Sequence, residues 1–242
     1  MIKTYIRKVN QNLKNLLWPD VCPFCGRVCQ SGVCPACLEK VKKLFVREPR
    51  CMQCGKPVQK KEQEYCYDCI HSHHYYDQGR AVWLHQNPVK QSIYQFKYHN
   101  QREYGKYYAK EMEKYCGDFI ERVKPEALIP VPLHASKQKK RGYNQAEILT
   151  KELGKLVGIP VADKLVVRVK NTTPQKQQNR QKRKENLMNA FELRYRVRKA
   201  KSVLVIDDIY TTGNTIDQIA KILKDAGVEK VYFLTISIGQ GN

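Results

Sequence analysis

Residues 203–216 read VLVIDDIYTTGNTI, and the interpretation of this stretch decides the fold. Residues 203–206 form an apolar run without alternation, as in a parallel strand covered on both faces. Asp207 and Asp208 close the strand, and Thr211-Thr212-Gly213-Asn214-Thr215 turns into a helix over 215–225. Parallel strands end at the ligand edge of their sheet, which puts both acids where a ligand binds. Gly213 gives the turn its tight geometry, the threonine hydroxyls are donors, and the free N–H groups of a helix start favour a phosphate. Adjacent carboxylates repel each other, so this edge calls for a ligand carrying hydroxyl donors as well as an anion. A ribose 5-phosphate meets both demands, its 2- and 3-hydroxyls donating to the acids while the turn holds the 5-phosphate. The acids also suit Mg²⁺ retained through water.

Outward from this unit, strands and helices alternate from about residue 78. Strands are expected at 80–85, 127–131 and 231–238, and helices at 88–98 and 103–121. A basic loop follows residue 131, then a helix from Asn144, whose Glu147 three residues on makes a capping-box signature and whose end falls at Gly158. The pattern predicts an α/β domain, a mostly parallel sheet with helices on both faces.

The cysteines set the other boundary. Nine of ten lie between Cys22 and Cys69, and eight form Cys-x-x-Cys pairs: Cys22/Cys25, Cys34/Cys37, Cys51/Cys54 and Cys66/Cys69. With no export signal in view, four such pairs read as thiolate ligands of two structural Zn²⁺ ions rather than as disulfides. Each knuckle turns two sulfurs onto one ion, and two knuckles complete a tetrahedron. Gly26 and Gly55 relieve the backbone directly after a knuckle. Consecutive and interleaved pairing fit the spacing equally. His71, His73 and His74 are taken as a solvated loop. The expected organisation is an amphipathic helix over 1–20, a double zinc-ribbon module over 21–75 and the α/β domain over 76–242.

Lys and Arg total 44 against 23 acids, a formal charge of +21. Thirteen basic residues and two acids fall within 164–201, so the surplus is local and points to a polyanionic partner. No apolar run reaches the ~18 residues of a membrane span. A cytoplasmic protein is expected, with the helix over 1–20 packed on its own domain or lying on the inner face of the membrane.

VLVIDDIYTTGNT resembles the phosphoribosyl-pyrophosphate (PRPP) motif of type I phosphoribosyltransferases. With the cysteine pairs, Pro-Val-Pro-Leu-His at 130–134, Arg-Gly-Tyr-Asn-Gln at 141–145, Thr-Pro-Gln at 173–175, Arg183 and Asn186, the chain over roughly 20–240 resembles the ComF/ComFC family of competence proteins. The resemblance implies a type I phosphoribosyltransferase fold behind a double zinc ribbon. It implies that Asp207 and Asp208 contact ribose and that Thr211, Thr212, Gly213, Asn214 and Thr215 cradle the 5-phosphate. Lys137, Lys139, Lys140 and Arg141 become candidate cations for the pyrophosphate, Arg141 foremost because a guanidinium grips a diphosphate with two parallel bonds. Segment 170–183 becomes the loop that closes over substrate, with Arg183 contributing. No segment specifies a purine or pyrimidine.

Three functions follow. The first is PRPP-dependent phosphoribosyl transfer, with Mg²⁺ and an unassigned acceptor, in a protein of natural transformation and DNA uptake. The second is a single-stranded nucleic-acid-binding accessory factor without turnover, working with DNA-uptake and processing proteins. Tyr and Phe interleaved with basic residues in IYQFKYHNQREYGKYY would stack bases there, or else form helix core and solvated charge. The third is nucleobase salvage.

Overall fold

The computed structural model describes residues 21–29, 32–170, 190–197 and 199–240. The expected helix over 1–20, Arg183, Asn186, the 173–175 motif and all but the first residue of the 170–183 loop lie outside them.

Among the described residues the chain forms seven helices and six strands in the order α1 Pro35–Lys42, α2 Tyr67–Ile70, β1 Gln78–Leu84, α3 Val89–Tyr98, α4 Tyr104–Val123, β2 Ala127–Pro130, α5 Ala135–Arg141, α6 Gln145–Val157, β3 Val166–Arg168, β4 Phe191–Leu193, β5 Ser202–Tyr210, α7 Asn214–Asp225 and β6 Lys230–Ile238. The main sheet has the order β1-β6-β5-β2. Every neighbouring pair in it is parallel, as continuous apolar runs require.

β5 explains its own lack of alternation. Leu204 and Ile206 enter a core with α3, α4 and α6, while Val203 and Val205 enter a second core with α7. Each fully buried aliphatic side chain contributes about 1.5–3 kcal/mol, so both faces hold the strand in place. The start of α6 follows the sequence in part: Asn144 Oδ1 accepts from Ala146 N–H at 3.0 Å, but Glu147 pairs with Lys151 instead of returning to the cap. Gly158 ends the helix at φ 70°.

The cysteine ribbons are built into these cores. Cys22, Phe24 and Cys37 belong to the first, and Cys51, Cys54 and Cys66 to the second. The chain between the ribbons covers the outer edge of β1: Val46 N–H donates to Val82 O at 2.9 Å, and Leu84 N–H to Leu44 O at 2.7 Å. At the other border Leu128 of β2 pairs with 160–162, its N–H donating to Pro160 O and its carbonyl accepting from Ala162 N–H, both at 2.9 Å.

Two local expectations change, and one strand pair is additional. Strand β5 does not stop at the acids but continues to Tyr210, because β6 pairs with it as far as Ile238. The basic segment after residue 131 is a helix, α5, opened by His134 accepting from Ser136 N–H and closed by Gly142 at φ 80°. Before residue 170 the chain forms β3, antiparallel to β4, so the 170–183 segment leaves from a small hairpin-like base.

Candidate functional site

Strand β2 ends at Pro130 opposite Ile206, while β5 and β6 run on together. The acids therefore stand at a step in the sheet edge, past the end of one neighbour. Asp208 is 3% exposed. Lys97 Nζ lies 2.8 Å from its Oδ2, close enough for an ion pair but not aligned as a hydrogen bond, so that oxygen keeps acceptor capacity. Asp207 Oδ1 accepts from the Asp208 N–H at 2.8 Å. Burial, and then the Asp208 charge, push the Asp207 carboxyl up to about 8, with Lys97 and Arg168 pulling the other way. Lys97 and Arg168 thus offset the charge of the pair only in part.

The turn after β5 has the expected form. Gly213 sits at φ 80° as the N-cap of α7, and no side chain caps that helix. Its first N–H groups are offered to a ligand. A Cβ at 213 would lie 2.6 Å from the Tyr210 hydroxyl oxygen, so the backbone rests directly on that phenol and glycine is required on two counts. Thr211 is exposed, and Thr212, Asn214 and Thr215 are half-buried around the turn.

The cations divide by position. Arg141 ends α5, donates to Gln145 Oε1 and places its guanidinium carbon 4.8 Å from the Tyr98 ring centre. Lys137 is half-buried, and burial, then Arg168 and Arg141, push its ammonium pKa down. Lys139 and Lys140 are exposed. Three groups near the acids escaped sequence reasoning: Lys97, Arg168 and His85. Burial lowers the Arg168 pKa and the Asp207 charge opposes it. His85 Nδ1 lies 2.9 Å from Ser237 Oγ, and burial, Lys97 and Lys90 push its pKa down against Asp208. For Lys97 a signal existed: it continues the i, i+4 row of buried Val89 and Ile93, so a lysine stands on the core stripe of α3.

The cysteines pair consecutively. Cys22, Cys25, Cys34 and Cys37 form one cluster and Cys51, Cys54, Cys66 and Cys69 another, the sulfurs of each within 4.8 Å of one another. Cys25 and Cys34 sulfurs lie 3.6 Å apart, Cys54 and Cys66 sulfurs 3.5 Å. Four convergent thiols at such separations fit tetrahedral Zn²⁺. Gly26 and Gly55 take φ 73° and 78° behind their knuckles. The His74 expectation was wrong: its ring is buried against Tyr76, and its Nδ1 meets Asp217 Oδ2 at 2.7 Å. The aromatic stripe serves both readings. Ile93, Phe96, Tyr104 and Tyr108 are core, whereas Tyr94 and Tyr98 are 53% and 59% exposed, with ring centres 5.0 Å apart, next to Arg141.

Comparison with known proteins agrees with this geometry. A double zinc ribbon domain matches residues 13–70 and a phosphoribosyl transferase domain residues 139–237. Competence protein F of Haemophilus influenzae is 32% identical over 84% of this chain and 89% of its own. The DNA utilization protein YhgH of Salmonella typhimurium is 27% identical over 88% of this chain and 94% of its own. Competence protein ComFC of Bacillus subtilis is 26% identical over 81% of this chain and 79% of its own. No helix among the described residues is long and apolar enough to cross a membrane.

Proposed function

The chain belongs to the ComF family of competence proteins, and on that premise we propose that it binds PRPP with Mg²⁺ and transfers the phosphoribosyl group in the cytosol during the use of incoming DNA. The observation that carries this reading is the acid pair at the step of the sheet beside an uncapped helix start. The Asp207 and Asp208 carboxylates accept from the ribose 2- and 3-hydroxyls, and residues 211–215 hold the 5-phosphate. Lys137, Lys140 and Arg141 receive the diphosphate, with Arg183 contributing as the family resemblance implies. Mg²⁺ fits this donor set, hard oxygens beside a substrate diphosphate, and when bound it neutralises charge on the departing group.

In the transfer the bond from ribose C1 to the diphosphate oxygen breaks, the electron pair leaving with pyrophosphate. A bond from the acceptor's nucleophilic atom forms at C1, and the proton that the acceptor gives up passes to the departing pyrophosphate. The carboxyl of Asp207 is raised to about 8 by its surroundings, and it would accept from the ribose hydroxyls in its ionised form. Isothermal titration with Mg·PRPP tests the site. Replacing both acids with Asn removes charged acceptors worth about 1.5–3 kcal/mol each, so affinity falls at least about a hundredfold. Unchanged affinity in the double variant removes the ribose assignment. Pyrophosphate release against candidate acceptors then tests turnover.

A second reading has its own observation, the exposed Tyr94–Tyr98 pair beside Arg141. Single-stranded DNA stacks on such rings while the basic segment 164–201 follows its phosphates. Its affinity falls with salt at about −0.7 in log–log slope per phosphate neutralised. Replacing Lys182, Arg183 and Lys184 with Ala shrinks that slope if the reading holds. Nucleobase salvage has no observation in its favour.

A further inference from the structure

Tyr210 is the last residue of β5, and the phosphate turn begins on it. Its ring lies flat on Phe233, centres 4.7 Å apart and planes 1° apart, and its hydroxyl shares a buried 2.6 Å hydrogen bond with the hydroxyl of Tyr76. Tyr76 belongs to the same packed cluster as Cys51, Cys54 and Cys66. Lys56 of that ribbon pairs with Asp68 at 2.6 Å and holds its Nζ 5.8 Å from the Tyr210 ring centre. The second four-cysteine site, Tyr76 and Tyr210 therefore share one packed cluster, with the Gly213 backbone against the Tyr210 phenol.

A separate link reaches the start of α7. Asp217 stands in its first turn, with its own N–H donating to Gly213 O at 2.8 Å. Asp217 Oδ1 accepts from Tyr75 N–H at 2.8 Å, and Oδ2 meets His74 Nδ1 at 2.7 Å. A carboxylate at that position would stabilise the helix start in place of an anionic ligand. Here both its oxygens are engaged by the segment leaving the second ribbon. The His74 ring stacks on Tyr76 at 4.8 Å, so the two links meet.

We propose that this double link couples the second four-cysteine site to the phosphate turn: metal there fixes Tyr76 and His74, and these fix residues 211–217 in the form that receives a phosphate. Tyr76 is a positioning residue and touches no ligand. The inference rests on the reading of the turn as a 5-phosphate site. Coupling is reciprocal, so a ligand that holds the turn also tightens metal binding at the second site but not at the first, and slower release of that metal is the readout.

Two measurements on the full, zinc-loaded chain test this. Amide hydrogen exchange needs no ligand: Tyr76→Phe accelerates exchange over 211–217 about tenfold, while segment 22–29 and α4 keep parental rates. Parental rates at 211–217, or a uniform acceleration everywhere, overturn the coupling. If Tyr76→Phe does not fold, Asp217→Asn breaks the other link and is read the same way. The second measurement is zinc transfer to a chromophoric chelator, with the emptied site identified by alkylation of freed cysteines. Ribose 5-phosphate slows release from the second site about threefold in the parent, leaves the first unchanged and has no effect in Tyr76→Phe. Equal slowing at both sites, or none, in a parent that binds ribose 5-phosphate by calorimetry also overturns the coupling. A parent that binds no ribose 5-phosphate refutes the functional reading instead, and the exchange measurement then decides the coupling alone.

Discussion

The two ribbons use the same ligands at the same knuckle spacing, yet they support different elements beside the acid pair. The first holds α3: Ser92 Oγ donates to Pro23 O at 2.5 Å, and Phe24 meets Trp83 and Tyr107 edge-on at 6.1 and 5.8 Å. That helix brings Lys97 to Asp208. The second lies beneath the turn that follows Tyr210. They also differ in access. Cys51 and Cys54 are fully buried, whereas Cys25 is exposed and Cys34 half-exposed. Identical local chemistry takes its role from what it packs against.

The largest test of this contrast is removal of one ligand from each ribbon. Zinc binding contributes on the order of 10 kcal/mol to small metal modules, comparable with the whole stability of a domain. Cys54→Ser, in the middle of the second core, is expected to abolish the cooperative thermal transition. Cys25→Ser is expected to melt cooperatively at a lower midpoint with one zinc per chain. Elemental analysis and calorimetry check both, and equal behaviour of the two variants would break the comparison. Kinetics sharpen it next. Under excess chelator the first site should empty about tenfold faster than the second, since its sulfurs are reached without opening the core. Alkylation of the released cysteines identifies which site emptied.

A smaller effect belongs to the acids at the step of the sheet. The Asp207 carboxyl, near 3.9 when unfolded, is raised to about 8 in the fold. Its stabilising contribution is therefore complete below about pH 4 and is lost as pH rises through about 8. Asp207→Asn should raise the melting midpoint of the ligand-free protein by a few degrees at pH 9 and by less at pH 6. A gain that does not grow with pH would contradict the buried-acid account. The least effect is expected at Cys29, outside both clusters. Cys29→Ser should keep two zinc ions per chain and shift stability by about 0.5 kcal/mol or less. A lost zinc would mean that the first site does not have the ligand set found here.

How much of this was legible follows physical lines. The unbroken run at 203–206 and the cysteine pairs carry their meaning locally, and the sheet and the eight ligand cysteines, though not their division between two sites, followed from them. Asn144 and Gly158 marked their helix ends for the same reason, because capping is a property of a few neighbouring residues. Lys97, Arg168 and His85 come to the acids from α3, β3 and the end of β1, and no local pattern links such distant positions. His74 looked solvated because a histidine-rich stretch next to a ribbon reads as loop. Its partner, Asp217, lies 143 residues on. Consecutive knuckle pairing was equally hidden, since both pairings use the same spacings.

The short stretches that border the sheet bear on association. A strand with one unpaired side is a template for another chain, and proteins that are repeatedly engaged and released must guard against it. Here the chain supplies its own partners: residues 44–46 occupy the free side of β1, and residues 160–162 occupy part of the free side of β2. The cover on β1 is the connection between the two ribbons, which ties protection of that side to the metal-held module. A molecule stripped of zinc would lose more than the support of its phosphate turn. It would bare the β1 border of a parallel sheet to neighbours in the same state, and self-association by strand addition would start from that side.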